Sequence, residues 1–263
     1  MNLSSELAKT LAFTFRNITT VRRNVFQIAE IFYWPFITLL SIGFMLAFLK
    51  PGGRDTAVVM SGVVALSVLQ TCQLDVAYVL LFDMWSKCLK HTLVAPIGRR
   101  HYLIGSWIVG IFRGTATFLI LAFFIRWVFH FDIFKAGIEA TVRFWAGLMV
   151  SGLIIGMLTT VSLYTFGWRA EIVPWSIVSV LLLICGIYYP IEVLPAYMHQ
   201  ISRLVPLTLF LEDYRASFGM PSFPGAAERG FVLSGIYFGI TYGLLILAER
   251  RAKRTGLFLK MSE

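Results

Sequence analysis

The feature that most constrains this chain is the repeated return of apolar runs about 20 residues long, the length an α-helix needs to cross a bilayer. Six stand out, from about Ile31 to Leu49, Ala57 to Phe82, Tyr102 to Val128, Phe144 to Phe166, Ile172 to Ile187 and Phe231 to Ala248. The fifth is the shortest. Only 14% of the residues are charged, against roughly 25% in an ordinary soluble domain, which leaves too little polar surface to clothe a water-soluble globule. The 15% aromatic content also excludes a disordered chain. The predicted fold is an all-α integral membrane protein, a single transmembrane domain over residues 1–263 with six transmembrane helices.

An even number of spans puts both termini on one side, so the 23 basic residues divide between two faces. Fourteen fall with the termini and eight on the opposite side, with Arg113 inside a span. The positive-inside rule then places both termini in the cytoplasm. The net charge of +9 is an orientation signal in such a protein, and no nucleic-acid partner is inferred from it. Trp85, Trp127, Trp145, Trp168 and Trp175 fall near span ends, where an indole favours the headgroup level. Cys72, Cys88 and Cys185 form neither a disulfide framework nor a CxxC metal pair. Lys9 and Arg16 interrupt the leader, so no cleaved secretory signal is expected.

Three segments depart from simple spans. Residues 5–28 carry Leu7, Leu11, Phe15 and Ile18 at helical spacing among basic residues, which predicts an amphipathic helix lying on the inner surface, the alternative being a cytosolic leader. Residues 83–100 form a basic loop with regularly placed apolar residues, and a helix from Asp83 to about Val94 would stop before Pro96. Residues 188–215 are apolar but broken by Pro190, Pro195 and Pro206, so they read as two short helices that dip into the outer leaflet and return. An ordinary outer loop is the other reading. Residues 249–263 form a cytoplasmic tail.

Polar residues inside the spans are few, and each needs a reason. Ser67, Thr71, Asp75 and Tyr78 form one stripe on the second span. At 1.5 Å per residue Asp75 lies about 12 Å from a boundary near Asp83, and Arg113 about 16 Å from one near Tyr102. The depths match, so the two are expected to pair, either as a structural bridge or in a polar cavity that substrate contacts. Gln70 and Gln73 lie off the stripe. In the fourth span Gly152 and Gly156 form a GxxxG, a surface for close approach of another helix from the same subunit or from a second copy. No phosphate loop, HExxH or GxSxG is present, and the histidines are scattered. No catalytic residue, metal site or cofactor is expected in the chain.

Three passages together resemble a known family. They are Phe32-Tyr33-Trp34-Pro35 leading to Gly43-Phe44; Leu89 with Leu93-Val94-Ala95-Pro96-Ile97-Gly98-Arg99-Arg100; and Gly186-Ile187-Tyr188-Tyr189-Pro190 with Leu194-Pro195, Pro206-Leu207 and Arg215. In this order and spacing the chain is similar to the membrane subunits of type-2 ATP-binding-cassette exporters. The resemblance implies a permease half that dimerises, with itself or with a similar permease, and binds a separate ATPase subunit carrying the ATP and Mg. It implies a coupling helix within residues 83–100, with Asp83, Lys87, Leu89, Lys90, Leu93, Pro96, Arg99 and Arg100 contacting that ATPase. It also implies an outer gate at Tyr188, Tyr189, Pro190, Pro195 and Pro206. The expected substrate is an amphiphile, either a glycan or glycolipid or a hydrophobic drug-like molecule. The competing class is a membrane enzyme or an ATP-independent carrier acting on a lipid-like substrate.

Overall fold

The computed structural model describes residues 3–23, 25–50, 52–95 and 97–257. Among them there is no strand, and the helices are α1 (Leu3–Arg23), α2 (Val25–Leu49), α3 (Gly53–Trp85), α4 (Leu89–Val94), α5 (Arg99–Phe129), α6 (Ile138–Phe166), α7 (Val173–Ile184), α8 (Ala196–Ser202), α9 (Pro206–Ala216) and α10 (Ala226–Arg254). Four of these, α3, α5, α6 and α10, are long and apolar enough to cross a membrane. The apolar stretch Tyr33–Leu49 of α2 and the 12-residue α7 are shorter. At 1.5 Å per residue α7 reaches only about 18 Å. The protein is therefore a multi-pass helical membrane protein in which α2 and α7 differ in length from the four long crossings.

Several predicted boundaries move. The surface helix stops at Arg23 rather than Ile28, because Arg22 and Arg23 complete a last turn that favours basic residues and the apolar run of α2 opens at Val25. Residues 249–254, placed in the tail, continue α10, and residues 258–263 lie outside the described residues. α1 docks by the face opposite to its apolar stripe. Phe13 is buried against Tyr102, with ring centroids 5.7 Å apart. Phe15 remains 72% exposed, and Leu7 and Leu11 are exposed with it. The amphipathic stripe thus points away from the protein, which suits a helix that also lies against lipid headgroups.

α3 is the hub because it is buried on nearly every side from Ala57 to Met84, its polar residues included, and such a helix is stable only when surrounded. It packs mainly on α5 and α6 and also meets α2, α7 and α9, while α1 lies on α5 and α10 lies on α6 and α9. Two buried clusters stack along it. The first takes α3 from Met60 to Cys72 with Phe118, Leu121, Phe144 and Leu148; the second takes Leu74 to Met84 with Phe13, Leu103, Leu163 and Leu245.

The GxxxG of α6 belongs to the α3 seam. A Cβ on Gly152 would sit 2.8 Å from Cys72 Cβ, and one on Gly156 would sit 2.5 Å from Val76 Cβ. The motif therefore brings two helices of one subunit together. Gly156→Leu should destabilise the protein by about 1–3 kcal/mol through overpacking, seen as a lower unfolding temperature in detergent. Gly235→Leu in α10, where a side chain would meet open space, should leave that temperature unchanged.

Candidate coupling face and intramembrane polar site

At one face of the molecule α1 meets the ends of α3, α5 and α10, and ion pairs and hydrogen bonds join them. Arg16 of α1 pairs with the buried Asp83 at the end of α3. Glu6 of α1 lies 3.1 Å from His101 Nε2 in the first turn of α5. A hydrogen bond from Lys9 holds the Glu6 carboxyl below its ordinary range. Arg99 of α5 pairs with Glu249 of α10, which also takes Lys253 at 2.6 Å. Trp85 Nε1 donates to Glu171 Oε1 at 2.8 Å, tying in the connection between α6 and α7. Singly, half-exposed pairs contribute roughly 0–1 kcal/mol. Together they link α1, α3, α5 and α10.

The segment held by this brace differs from the single helix predicted from Asp83 to Val94. α3 keeps Asp83 and runs to Trp85, because a Schellman turn ends it: Cys88 N–H donates to the Asp83 carbonyl at 2.9 Å and Lys87 N–H to that of Met84 at 3.0 Å. Lys87 occupies the left-handed position of this turn, with φ +55°. The separate α4 spans six residues. Its Leu89 is buried against the bundle, whereas Val94 at its other end is 87% exposed. Arg100, in the first turn of α5, is exposed as well. Asp83 thus acts from inside the bundle rather than on the loop. Pro96 and the side chains of Lys90 and Leu93 lie outside the described residues.

Deeper in the bundle Arg113 of α5 makes an ion pair with Asp75 of α3, both largely buried. They sit at the junction of the two apolar clusters, in a belt of helix-to-helix hydrogen bonds. Gln73 Nε2 donates to the Pro174 carbonyl at 2.9 Å, Trp107 Nε1 to that of Met149 at 3.0 Å, and the Tyr102 hydroxyl to that of Val76 at 3.0 Å. Lipid offers no partner to such groups, so each must find one on a neighbour.

At the opposite face Arg215 of α9 is the main fastener. It is 3% exposed, and it donates to the Gly186 carbonyl at 2.8 Å, the Ile187 carbonyl at 2.6 Å, the Val58 carbonyl at 2.8 Å and Ser61 Oγ at 3.1 Å. One guanidinium thereby closes the turn after α7 onto the start of α3, a task that needs its planar fork of donors. The predicted gate residues fall in the turn beyond α7 and at the starts of α8 and α9. Tyr188, Tyr189 and Pro190 sit in the turn beyond α7, with the Tyr189 hydroxyl donating to the Leu183 carbonyl. Pro195 caps α8 and is exposed, while Pro206 opens α9 and is buried.

The family described as ABC-2 type transporter matches residues 9–218. The chain belongs to that family. Its match runs from α1 to just beyond α9 and so includes the cross-braced face, the polar belt and the Arg215 clamp. No curated protein matches the chain. An ABC-2 type transporter of this kind is the membrane permease component of an ATP-binding-cassette system. Sequence reading missed Arg16, Glu6, His101, Glu249 and Glu171 as members of the braced face. Their partners lie 67 to 150 residues away along the chain, and charged residues at span ends look alike until the helices are packed.

Two outcomes follow for this ABC-2 permease. Neutralising Asp75 or Arg113 alone should cost about 3–5 kcal/mol by stranding a buried charge. The double change Asp75→Asn with Arg113→Gln should cost less than the sum, as a double-mutant cycle of thermal unfolding would register. Arg215→Lys keeps the charge but loses the fork. With several charge-assisted hydrogen bonds broken at about 1.5–3 kcal/mol each before rearrangement, limited proteolysis should then cut the segment between α7 and α9 sooner than in the parent protein.

Proposed function

We propose that this permease is the membrane half of an exporter driven by a separate ATPase subunit, and that α4 with its flanking turns is the coupling element. Six crossings, with α2 and α7 completing the four long helices, put both ends of the chain and the braced face in the cytoplasm of a bacterial or archaeal plasma membrane. A second copy, or a similar permease, supplies the other half of the pathway. ATP and Mg stay on the partner, and this chain contributes mechanics rather than catalysis.

The observation that carries the reading is the setting of α4: a short helix with one buried anchor, Leu89, and one exposed apolar end, Val94, projecting from a face whose helices are joined by ion pairs. A cleft on an ATPase that grips Val94 and the basic residues Lys87, Lys90, Arg99 and Arg100 can push through α4 without bending it. The turn at residues 86–88 passes that push to α3, and the Arg16, His101 and Glu249 contacts pass it to α1, α5 and α10. On the far side the α7–α9 segment, fastened by Arg215, is the outer gate that opens in response. The substrate is an amphiphile, a glycolipid or a hydrophobic drug-like molecule, drawn from the membrane and released outward.

The test is to co-purify the permease with the ATPase encoded beside it and replace residues 87–93 by a flexible linker. Assembly and permease-dependent ATP hydrolysis should both be lost. Retention of both would assign coupling to another surface.

A further inference from the structure

α10 is the least enclosed of the four long helices. It packs on α6 and α9, and it reaches α5 through the Arg99–Glu249 pair. Deeper than that pair, a groove lies between α5 and α10. Leu103 and Trp107 of α5 and Leu153 of α6 line it, with Ile104 on one side and Phe238 and Tyr242 of α10 on the other. The Phe238 and Tyr242 rings stack, their centroids 6.0 Å apart and their planes 7° from parallel, so α10 presents a flat wall. Trp107 spends its one polar atom elsewhere, donating Nε1–H to the Met149 carbonyl at 3.0 Å. The walls are thus almost wholly carbon, and they enclose about 270 Å3. That is nearly twice the roughly 150 Å3 of an engineered apolar cavity that holds benzene.

We propose that this groove is a site for one anionic phospholipid, with an acyl chain lying between α5 and α10 and the phosphate held at Arg100. The lipid is a resident part of the fold and not cargo, so the proposal goes beyond the permease reading and takes from it only that the mouth faces the inner leaflet. Depth, width and charge choose this occupant. From Arg100 to Trp107 the groove runs about 10 Å, and from Glu249 to Phe238 about 16 Å, at 1.5 Å per residue. Half of a bilayer's hydrocarbon core is about 15 Å, so the groove has the reach of a single leaflet. An α-helix, about 10 Å across with its side chains, would need several times the room, whereas a hydrocarbon chain fits. The mouth is net positive. Arg99 and Lys253 share the one carboxylate of Glu249, and the exposed Arg100 and Arg250 make no ion pair among the described residues.

Arg100 suits both halves of such a ligand. It lines the groove from the first turn of α5, so its aliphatic stem lies along the apolar wall while its guanidinium stays at headgroup level. There a phosphate accepts two of its N–H bonds side by side. The bound chain then covers Leu103 and Leu153, which are already nearly buried, together with Ile104 and Phe238, which are not. It fills the space that separates α5 from α10 where no side chain of the protein does so, and it adds a second tie between the two helices beyond the Arg99–Glu249 pair.

The experiment uses the purified permease without an ATPase, because Arg100 is also among the basic residues offered to that partner. Detergent-washed protein is titrated with phosphatidylglycerol and with phosphatidylcholine of the same chains, and bound lipid is counted per chain by native mass spectrometry. One phosphatidylglycerol should be held about fivefold more tightly than phosphatidylcholine, the worth of one basic residue facing an anionic headgroup. Arg100→Gln should remove that preference. Arg22→Gln, which alters an exposed arginine outside the groove, should leave it intact. Ile104→Trp, which crowds the groove, should weaken both lipids. Glycerophosphoglycerol, the same headgroup without chains, should not displace the bound lipid. Equal binding of the two lipids by the unaltered protein overturns the proposal, and since that comparison needs no variant, one that fails to fold does not shield the idea. The proposal also falls if phosphatidylglycerol binding is undiminished in Arg100→Gln or in Ile104→Trp, or if Arg22→Gln weakens it as much as Arg100→Gln. Displacement by the free headgroup marks a surface anion site and is equally fatal. A permease that assembles with its ATPase yet shows no lipid preference loses the lipid site alone, while one that holds the lipid but binds no ATPase loses the coupling assignment alone.

Discussion

Everything in this molecule depends on how α3 is surrounded. A helix that carries serine, threonine, glutamine and aspartate through lipid cannot leave them facing hydrocarbon, because nothing there replaces the hydrogen bonds of water. α3 solves this by lying at the centre, where the Asp75–Arg113 bridge, the Gln73 bond to Pro174 and the Tyr102 bond to Val76 draw α5 and α7 around it. The glycine seam with α6 completes the enclosure from the remaining side.

The same arrangement gives the permease two ends of different character. At one, ion pairs of α3 and α5 with α1 and α10 make a stiff platform around the projecting α4. At the other, a single arginine fastens the turn after α7 to the start of α3 by donating to carbonyls, a contact made and broken as one unit. In the proposed mechanism a load applied at the platform would travel along a buried helix to a clasp with few points of attachment. That difference would suit a gated pathway: rigidity where work is received, and a small number of bonds where the wall must part.

Much of this was legible along the chain, though unevenly. Hydropathy located the long helices, since lipid thickness fixes their length, and the depth arithmetic placed Asp75 opposite Arg113 because both distances were measured from the same boundary. The stripe on α1 was readable by period, but not that it would face away from the protein, because Phe13 rather than Leu11 fits against Tyr102 and Gly105. Asp83 looked like the first residue of a loop helix. Its place in the last turn of α3 is set by the Schellman turn at residues 86–88, and its partner there, Arg16, lies 67 residues earlier. Arg215 stood out only as part of the passage that carries the family resemblance, and nothing local says that backbone carbonyls of two distant elements converge on it.

The sequence by itself determined that this is a helical membrane protein, roughly where its long spans begin and end, and which of its charges stand at lipid depth, since these follow from apolar run length and residue count against a solvent of fixed thickness. Only the tertiary structure decided which face of each helix is inside, that the GxxxG closes a seam within one subunit, and that scattered end charges join into a brace. Those properties depend on pairwise contact between residues far apart in the chain, and contact is set by packing rather than by local order.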